Sequence, residues 1–527
     1  MFRKLVLVGL VVFTLTPRSA PALTTEALLD TLQHTAFDYF WNEANPTNGL
    51  IKDRSTLSSP CSIASLGFGL SAICIGIDHG WVSRDDGRAR IRTALQTLWT
   101  KPQGNALSGT IGYKGLYYHF LDMPGALRTW DCELSTIDTA LLFAGIIDAK
   151  QYFDTADPVD VEVRALADSI YYRADWEFMR NFAPSIYMGW KPGTGFSTFG
   201  QWIGYNEAMI LFILALGSPT HPVPATTWTA WTSGYNWSTQ YGQTYVIFPP
   251  LFGHQYSHCW IDFRSIYDTY MANRGITYFE NSRRATLAQR AYCIANPSGR
   301  VGYGANQWGL TASDGPTGYN ARGAPPSQND DGTISPTAVG GAVPFAPEVA
   351  IPALHHLYDT YGPQLFSTYG FRDAFNLTVN PDWYDTDYIG IDQGPIIVMI
   401  ENYRTGKVWQ RFMANPDIQR GLQRAGFHPT SDVVFGPIES GRFVLYQNTP
   451  NPARGQAVVP FYLDAAARVS LGLYDVAGRR VQLLLHGVQG PGVHRVPLDA
   501  TGLASGVYYV RLEVDGERQS KSCQVLR

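Results

Sequence analysis

Charged side chains are scarce in this sequence. Lys, Arg, Asp and Glu make up 16% of its 527 residues, and the formal net charge is −4. Recognition of nucleic acid or anionic lipid by charge needs a basic surface, so we expect no nucleic-acid partner. The hydrophobic fraction of 45% excludes a disordered chain and supplies material for a large core. The length predicts two or three domains.

The sequence has few cysteines, and their spacing fits neither a disulfide scaffold nor a zinc module. There are six, at positions 61, 74, 132, 259, 293 and 523. A chain of this size does not need covalent cross-links to stabilise its core. We therefore predict that most of them are buried thiols, with a single bridge left open as an alternative.

No stretch is long and apolar enough to predict a transmembrane helix. The N-terminus instead has the pattern of a signal peptide, with Arg3 and Lys4 before an apolar run over 5–15. The small residues Ala20 and Ala22 then fit a cleavage site. We predict that residues 1–22 are removed and that the protein is secreted or held at the cell surface.

Three further regions follow the predicted signal peptide. Residues 23–427 show helical periodicity, as in Leu29, Leu32, Ala36 and Phe40. Helix pairs joined by long loops predict a mainly α domain built as an α/α toroid. Residues 428–441 are typical of a linker. In residues 442–527 apolar and polar side chains alternate with a period of two. The last region predicts a small β-sandwich.

Aromatic residues reach 13%, including 14 Trp and 30 Tyr. Aromatic faces stack on sugar rings, although a large core would use the same residues. Four aromatic-rich segments also carry acids: 130–142, 202–210, 252–264 and 383–406. An acid at a helix start is often only a cap. Several such acids around the opening of one cleft favour glycoside hydrolysis, which needs one protonated and one ionised carboxyl.

Four strings carry a resemblance to a known family. They are ELSTIDT (133–139), GYNEAM (204–209), LFGHQYSHCWIDFR (251–264) and YIGIDQGPI (388–396). They resemble the signature of the glycoamylase-like family, which includes bacterial β-1,2-glucanases. The resemblance implies an (α/α)6 barrel and inverting hydrolysis of β-1,2-glucan without a metal or other cofactor.

The same resemblance implies roles for particular acids. Glu207 resembles the general acid and Asp392 the general base. Glu133 and Asp138 resemble acids that line the cleft. Two further acids, Asp131 and Glu401, are supporting candidates, and Glu401 is alternatively a structural partner. The candidates for substrate binding are His254, Gln255, Tyr256, Arg264, Trp190, Trp202, Trp260, Trp308 and Trp383.

The C-terminal region carries a second resemblance. LYQNTPNPARG (445–455), VSLGLYDVAGRRV (469–481) and LASGVYYVRLE (503–513) resemble the C-terminal sorting domain of the bacterial type IX secretion system. The resemblance implies an Ig-like sandwich and the secretion machinery as a partner. Asp475 and Gly478 predict a hairpin turn, and Gly506 precedes what we predict to be the last strand.

Two alternatives remain open from the sequence. The toroid could act on another glucan, or use phosphate in place of water, which would need a basic phosphate pocket. The protein could also bind a glucan at the surface without cleaving it. The presence of both Glu207 and Asp392 favours catalysis, whereas endo or exo action is left open.

Overall fold

The computed structural model describes residues 23–430, 443–448, 451–463, 466–490 and 492–526. The predicted signal peptide, residues 1–22, lies outside the described residues. So does most of the predicted linker, residues 428–441, of which 428–430 are described.

Residues 23–430 are mainly helical, as predicted. The helices are α1 (Thr25–Asn42), α2 (Ile63–Asp78), α3 (Arg84–Thr100), α4 (Thr136–Tyr152), α5 (Pro158–Tyr172), α6 (Trp176–Arg180), α7 (Met209–Gly217), α8 (Thr226–Thr232), α9 (Thr269–Ala272), α10 (Tyr278–Ala295), α11 (Pro336–Gly340), α12 (Pro347–Leu365), α13 (Gly390–Arg404), α14 (Lys407–Met413) and α15 (Pro416–Arg424). Short polar residues start several of them. The Ser83 hydroxyl, for example, accepts a hydrogen bond from the Asp86 backbone N–H at 3.1 Å.

The helices of residues 23–430 form two concentric layers. In the inner layer α13 packs on α2, α2 on α4, and α4 on α7, and α11 packs on α13. A segment of 3-10 helix, Leu251–His254 and Tyr256–Cys259, fills the sixth inner place between α7 and α11. The Gln255 Nε2 donates to the Ala338 carbonyl at 2.7 Å and joins this segment to α11. The outer layer consists of α1, α3, α5, α8, α10 and α12, so outer and inner elements alternate along the chain.

The inner elements are buried on nearly every side. All nine residues of α7 are buried, and so are 14 of the 16 residues of α2. Such helices cannot be amphipathic, because neighbours cover them all round. Small residues permit the close packing. A Cβ on Gly67 would lie 2.3 Å from the Leu141 carbonyl oxygen of α4. The inner helices therefore approach almost backbone to backbone.

The segment 248–261 differs from the prediction of a long loop. Its two short turns of 3-10 helix take an inner position and are almost completely buried. His254 and His258 lie in separate turns. Each bonds elsewhere, through Nε2 to the Phe248 carbonyl oxygen and to the Ser282 hydroxyl. The two rings therefore serve the core and do not share a ligand.

Two-stranded pairings tie the loops of the helical region together. They join 61–62 with 120–121, 112–113 with 116–117, 134–135 with 189–190, 237–240 with 243–246, 312–313 with 320–321, 333–334 with 375–376, 375–376 with 383–384, and 366–367 with 370–371. A further pairing joins Ile266–Tyr267 with His428–Pro429. The first residues of the predicted linker are thus part of the helical region.

The C-terminal region is all β within its described residues. Its strands are β1 (Phe443–Leu445), β2 (Gln456–Leu463), β3 (Ala467–Tyr474), β4 (Arg480–Gln489), β5 (Gly492–Asp499), β6 (Gly506–Val514) and β7 (Glu517–Val525). They form two antiparallel sheets, in the orders β1-β2-β5 and β4-β3-β6-β7, around one apolar core. The predicted turn is present, with the Gly478 N–H donating to the Asp475 carbonyl oxygen.

One strand prediction for this region was wrong. The strand that begins at Gly506 is followed by β7, which pairs with it along its whole length. The sequence of β7, ERQSKSCQV, is almost entirely polar, and only Cys523 and Val525 are buried. Hydrophobic alternation is therefore too weak there to predict a strand.

The cysteine prediction is confirmed, because all six thiols are free and buried. In the part of the chain that the structure describes, no helix has the length and hydropathy required to cross a membrane.

Candidate active site

A pocket of about 470 Å³ opens where the inner helices begin. Ser62 precedes α2, Asp138 lies in the first turn of α4, and Ile389 precedes α13, and all three line the pocket. Its other walls are formed by Asp53, Arg54, His119, Phe120, Trp130, Tyr319 and Ile391. Helix N-termini favour negative charge, so this end of the toroid suits a group of carboxylates. We call this cavity the inner pocket.

An imidazolium lies between two carboxylates on one wall of the inner pocket. His119 Nδ1 is 2.9 Å from Glu133 Oε1, and its Nε2 is 3.6 Å from Asp138 Oδ2. Burial opposes the charge, but Asp138 and the bond to Glu133 outweigh it and raise the pKa of His119 to about 9. Asp138 also accepts a 2.5 Å hydrogen bond from the Ser135 hydroxyl. Glu133 and Asp138 are therefore brought together, as the resemblance implies.

Glu207 lies two residues before α7, in a partly buried position. Its backbone carbonyl accepts a 2.7 Å hydrogen bond from Ser257, which fixes the chain to the 3-10 segment. Burial raises the pKa of the Glu207 carboxyl to about 7, and the charge of Asp138 adds to the rise. The side chain can therefore carry a proton near neutral pH.

Asp392 lies in the first turn of α13 and is only 2% exposed. Neither of its carboxylate oxygens accepts a hydrogen bond from a donor group among the described residues. Asp373 faces it, and burial together with the charge of Asp392 raises the pKa of Asp373 far above the usual range. Burial likewise raises the pKa of Asp392, whereas the contact with Asp373 opposes that rise. The raised pKa values of both carboxyls mean that the pair holds at least one proton near neutral pH.

Arg54 connects three loops beside this pair. Its guanidinium is 2.8 Å from an Asp314 oxygen and 3.4 Å from oxygens of Asp53 and Asp387. These neighbours outweigh burial and raise the pKa of Arg54 further. The arginine therefore supplies a fixed positive charge against a surplus of carboxylates, including Asp392.

Tyr256 connects the two carboxyls that the sequence singled out. It is 4% exposed, and burial, followed by the charges of Asp392 and, more weakly, Glu207, raises its pKa well above the ordinary value. Tyr319, which is 46% exposed at the pocket wall, also senses the charge of Asp392. Glu207 and Asp392, 185 positions apart in the sequence, therefore belong to one region of the fold.

Several predicted substrate-binding residues lie in the core. His254, Gln255, Trp260 and Trp308 are at most 1% exposed. Burial lowers the pKa of His254 to about 3, so the ring is neutral. Trp260 donates to Ser71 inside α2, and Gln255 joins two inner elements. The burial of these four side chains indicates a role in the scaffold.

The other predicted binding residues are more accessible or lie elsewhere. Trp190 is half-buried, stacks on Tyr113 at 5.1 Å and pairs with Leu134, the residue after Glu133. Trp202 is buried and donates to Thr136 at the start of α4. Trp383 is half-buried in a short strand. Arg264 is bound to Asp262 and lies over Trp409, which follows the C-terminal end of α13 and thus the opposite end of the toroid.

Asp131 and Glu401 do not join the carboxyls of the inner pocket. Asp131 is exposed and bonds Arg128 and Lys191. Glu401 is nine residues after Asp392 along α13, which places it about 13 Å away along the helix axis. It accepts hydrogen bonds from Gln33 and Thr405 and pairs with His79. Glu401 is therefore a structural partner, the alternative that the sequence left open.

Glu401 should contribute to stability and not to chemistry. Burial opposes ionisation, but the bonds from His79, Thr405 and Gln33 lower its pKa to about 2. A depressed pKa stabilises the fold above pH about 4.5, and that stabilisation is lost as the pH falls towards 2. We expect Glu401→Gln to cost about 2 kcal/mol at pH 7. The Tm difference from wild type, followed by circular dichroism, should shrink on acidification. Exposed Glu26→Gln is the control, and an equal Tm for both variants at pH 7 would contradict the assignment.

Sequence reasoning missed five residues of the site: Asp53, Arg54, His119, Asp373 and Tyr319. For Asp53, Arg54 and Asp373 the local signal was a neighbour of opposite charge, a pattern that also occurs elsewhere in the sequence. Asp373 and Tyr319 lie in loops without periodicity. Their roles depend on contacts between segments far apart in the chain.

Among the residues that the structure describes, two clusters have the ligand types and spacing to hold a cation. One is His119, Glu133 and Asp138, and the other is Asp314, Asp373 and Asp385, each with candidate atoms within 4.8 Å of one another. In the first the His119 imidazolium already supplies the positive charge. In the second Arg54 bonds Asp314. We therefore assign no cation to either cluster.

Comparison with known sequences supports both parts of the chain. Residues 200–416 match the glycoamylase family, described as "Putative glucoamylase", and residues 449–525 match the secretion system C-terminal sorting domain. The chain is 32% identical over 435 residues to the exo-β-1,2-glucooligosaccharide sophorohydrolase (non-reducing end) of Parabacteroides distasonis. The match covers 76% of this chain and 58% of that relative, so the chain spans less than two thirds of its length.

Comparison with solved structures agrees. A "putative glucoamylase" from Bacteroides uniformis is 36% identical with a TM-score of 0.72, over 78% of this chain and 99% of that one. The endo-β-1,2-glucanase from Chitinophaga pinensis, in complex with sophorotriose and glucose, is 30% identical with a TM-score of 0.71. The match covers 77% of this chain and 99% of that one.

Proposed function

This chain belongs to the glycoamylase-like family, and from that premise we propose that it is a glycoside hydrolase that cleaves β-1,2-glucan with inversion. Hydrolysis of this bond needs a proton donor for the leaving oxygen and an ionised group that activates water on the opposite face of the sugar. We assign the first role to Glu207 and the second to Asp392. The relatives from Parabacteroides distasonis and Chitinophaga pinensis are named for activity on β-1,2-linked glucans or their oligosaccharides, which supports the choice of substrate.

The observation that carries the proposal is the state of Asp392. A carboxylate that is 2% exposed and accepts no hydrogen bond from the described residues gains nothing for stability from its charge. Its oxygens are free to take a proton from water. Asp373 and Arg54 favour its ionised form, the first through its contact with the carboxylate and the second as a counter-charge.

The environment of Glu207 suits the complementary role. A general acid works best when its pKa is close to the working pH, and burial brings that of Glu207 to about 7. The His119 imidazolium between Glu133 and Asp138 holds this wall of the inner pocket in place. We propose that sugar hydroxyls are bound by Glu133, Asp138 and Tyr256. An inverting pair usually stands about 6.5–9.5 Å apart to admit water, and a longer relay through a substrate hydroxyl would serve the same end.

Phosphorolysis is less well supported. A phosphate pocket requires free guanidinium, ammonium or backbone N–H groups. The cationic residues that line the inner pocket are Arg54 and His119, and carboxylates pair with both. A phosphate ion in the inner pocket would face predominantly negatively charged side chains.

The proposal is tested by the substrates that the mature chain cleaves. We expect short β-1,2-linked oligosaccharides from β-1,2-glucan and no products from β-1,3- or β-1,4-glucan, measured by size chromatography. Added inorganic phosphate should leave the products unphosphorylated. Cleavage of β-1,3-glucan at an equal rate, or products carrying phosphate, would overturn the assignment.

We further propose that the C-terminal region is an Ig-like sandwich that directs export. The match to the sorting domain over 449–525 supports export through the type IX secretion system. The two sheets around one core are consistent with a compact sandwich. With the predicted signal peptide at 1–22, this route would deliver the enzyme to the cell surface or the medium.

A further inference from the structure

An exposed tryptophan stands at the rim of the inner pocket. Trp130 is 65% exposed, although its large apolar ring would usually be covered. Its φ angle is +55°, a left-handed conformation that residues with a Cβ rarely adopt. Its indole contacts the Phe120 ring at 4.9 Å. The left-handed backbone and the exposure single out Trp130 because they coincide with a position between two cavities.

Trp130 separates two cavities. It lines the inner pocket and also a second cavity of about 360 Å³, which we call the outer groove. The same two chain segments form walls of both cavities. Residues 52–62 contribute Asp53, Arg54 and Ser62 to the inner pocket, and residues 119–130 contribute His119 and Phe120. The outer groove therefore continues the inner pocket past the indole ring.

The loop that carries Trp130 is held in place on its C-terminal side. The Arg128 guanidinium donates to the Cys132 carbonyl at 2.8 Å and to Asp131 at 2.8 Å. Lys191 bonds the other oxygen of Asp131 at 2.9 Å. Asp131, which the sequence suggested as a supporting acid, thus fixes the residue next to the indole. The ring is presented at a defined angle although most of its surface is exposed.

The outer groove has the mixed chemistry of a sugar site. Its walls include the apolar Leu57, Pro60 and Met123 and the polar Lys52, Ser58 and Thr129. Lys52 is paired with Glu43 and keeps two of its three hydrogens for other acceptors. Pyranose rings stack an apolar face on an aromatic ring and direct hydroxyls to polar neighbours. Both kinds of contact are available around Trp130.

We propose that Trp130 is the platform of an additional glucosyl subsite, through which a β-1,2-glucan chain passes from the inner pocket into the outer groove. The inference rests on the proposed function for the identity of the sugar. It makes Trp130 a residue that determines preference for chain length. Oligosaccharides too short to reach the outer groove would not use it.

The test measures binding by calorimetry in the Glu207→Gln background, so that turnover does not consume the ligand. The probes are a β-1,2-linked trisaccharide and β-1,2-glucan of about ten units. We expect Trp130→Ala to raise the Kd of the longer chain about tenfold and that of the trisaccharide less than twofold. Trp130→Phe should recover part of the loss. Asp131→Asn should give a smaller loss of the same kind, because the loop is held less firmly.

Phe182→Ala is the matched control. Phe182 is also an exposed aromatic residue, at 93%, with a left-handed φ of +62°, but it lines neither cavity. Equal affinity of the Trp130→Ala and Phe182→Ala proteins for the longer chain would overturn the subsite. Failure of either probe to bind the parent Glu207→Gln protein would overturn it too. A third outcome separates the two proposals. If the longer chain binds through Trp130 but the wild type does not hydrolyse it, the proposed reaction is refuted and the subsite is still supported.

Discussion

Glu207→Gln should lower kcat on β-1,2-glucan about 10³-fold, within the 10²–10⁴-fold range of general acid catalysis. The amide has almost the same shape and polarity but cannot give a proton to the leaving oxygen. The wild-type rate should also fall as the pH rises through about 7, where Glu207 loses its proton. The residual rate of the variant should lack this dependence. Initial rates between pH 5 and 9 measure both effects.

The same variant should gain stability in a pH-dependent way. The pKa of Glu207 is raised from 4.5 to about 7, so the folded wild type loses stability as the pH rises across that interval. The Gln variant avoids this loss. Its Tm should exceed that of the wild type at pH 8 and equal it at pH 4. A lower Tm at pH 8 would show that Glu207 is a helix cap and not a buried acid.

Glu348→Gln is the control for this prediction. Glu348 is also a glutamate at a helix start, in the first turn of α12, but it bonds Arg283 at the surface. Its replacement should leave kcat unchanged. If both variants lost activity equally, the effect would not be specific to the position of Glu207. If Glu207→Gln kept wild-type kcat, Glu207 would not be the acid.

Asp392→Asn should have the largest effect, a loss of about 10⁴-fold in kcat, at the upper end for acid–base groups. An amide cannot take a proton from water, and no other ionised group has been assigned that task. The fold should tolerate the change, because the two carboxylate oxygens accept no hydrogen bond from described residues. Removing one charge from the cluster with Asp373 and Asp314 should leave the Tm equal or higher.

A loss of activity combined with an equal or higher Tm identifies a functional residue. A structural carboxylate would lose Tm and activity together, whereas Asp392→Asn should lose only activity. Asp86→Asn, in the first turn of outer helix α3, is the control: it should leave the rate unchanged and lower the Tm slightly, because the Asp86 carboxylate accepts a hydrogen bond from Ser83 at the helix start. Thermal unfolding and initial rates on one preparation measure both quantities. A lower Tm for Asp392→Asn with proportionate loss of rate would make Asp392 a structural residue.

The sequence predicted the amphipathic outer helices well because hydrophobic periodicity depends mainly on local pattern. Leu29, Leu32, Ala36 and Phe40 are all buried on α1, as their spacing predicts. The acids at inner helix starts were also found from the sequence, since aromatic residues surround them. These acids lie at the same end of the molecule because the toroid brings the N-terminal ends of the inner elements together.

What the sequence did not predict depends on contacts between distant segments. Asp373 acts on Asp392 from a loop, and Arg54 joins Asp314 and Asp387 from more than 250 positions away. The 3-10 segment replaces a longer inner helix, and no periodicity marks so short an element. Strand β7 is nearly all polar because one face is exposed. His254 and Trp308, which the sequence suggested for contact with sugar, are buried, since aromatic composition cannot distinguish a core from a cleft.

The anomer released from β-1,2-glucan tests the pairing of Glu207 as acid with Asp392 as water activator most directly. Proton NMR during the first minutes of hydrolysis distinguishes the two anomers before mutarotation mixes them. Attack by water on the face opposite the leaving group predicts that the new reducing end appears first as the α-anomer. A new reducing end that appears first as the β-anomer would require a covalent intermediate and would contradict this account.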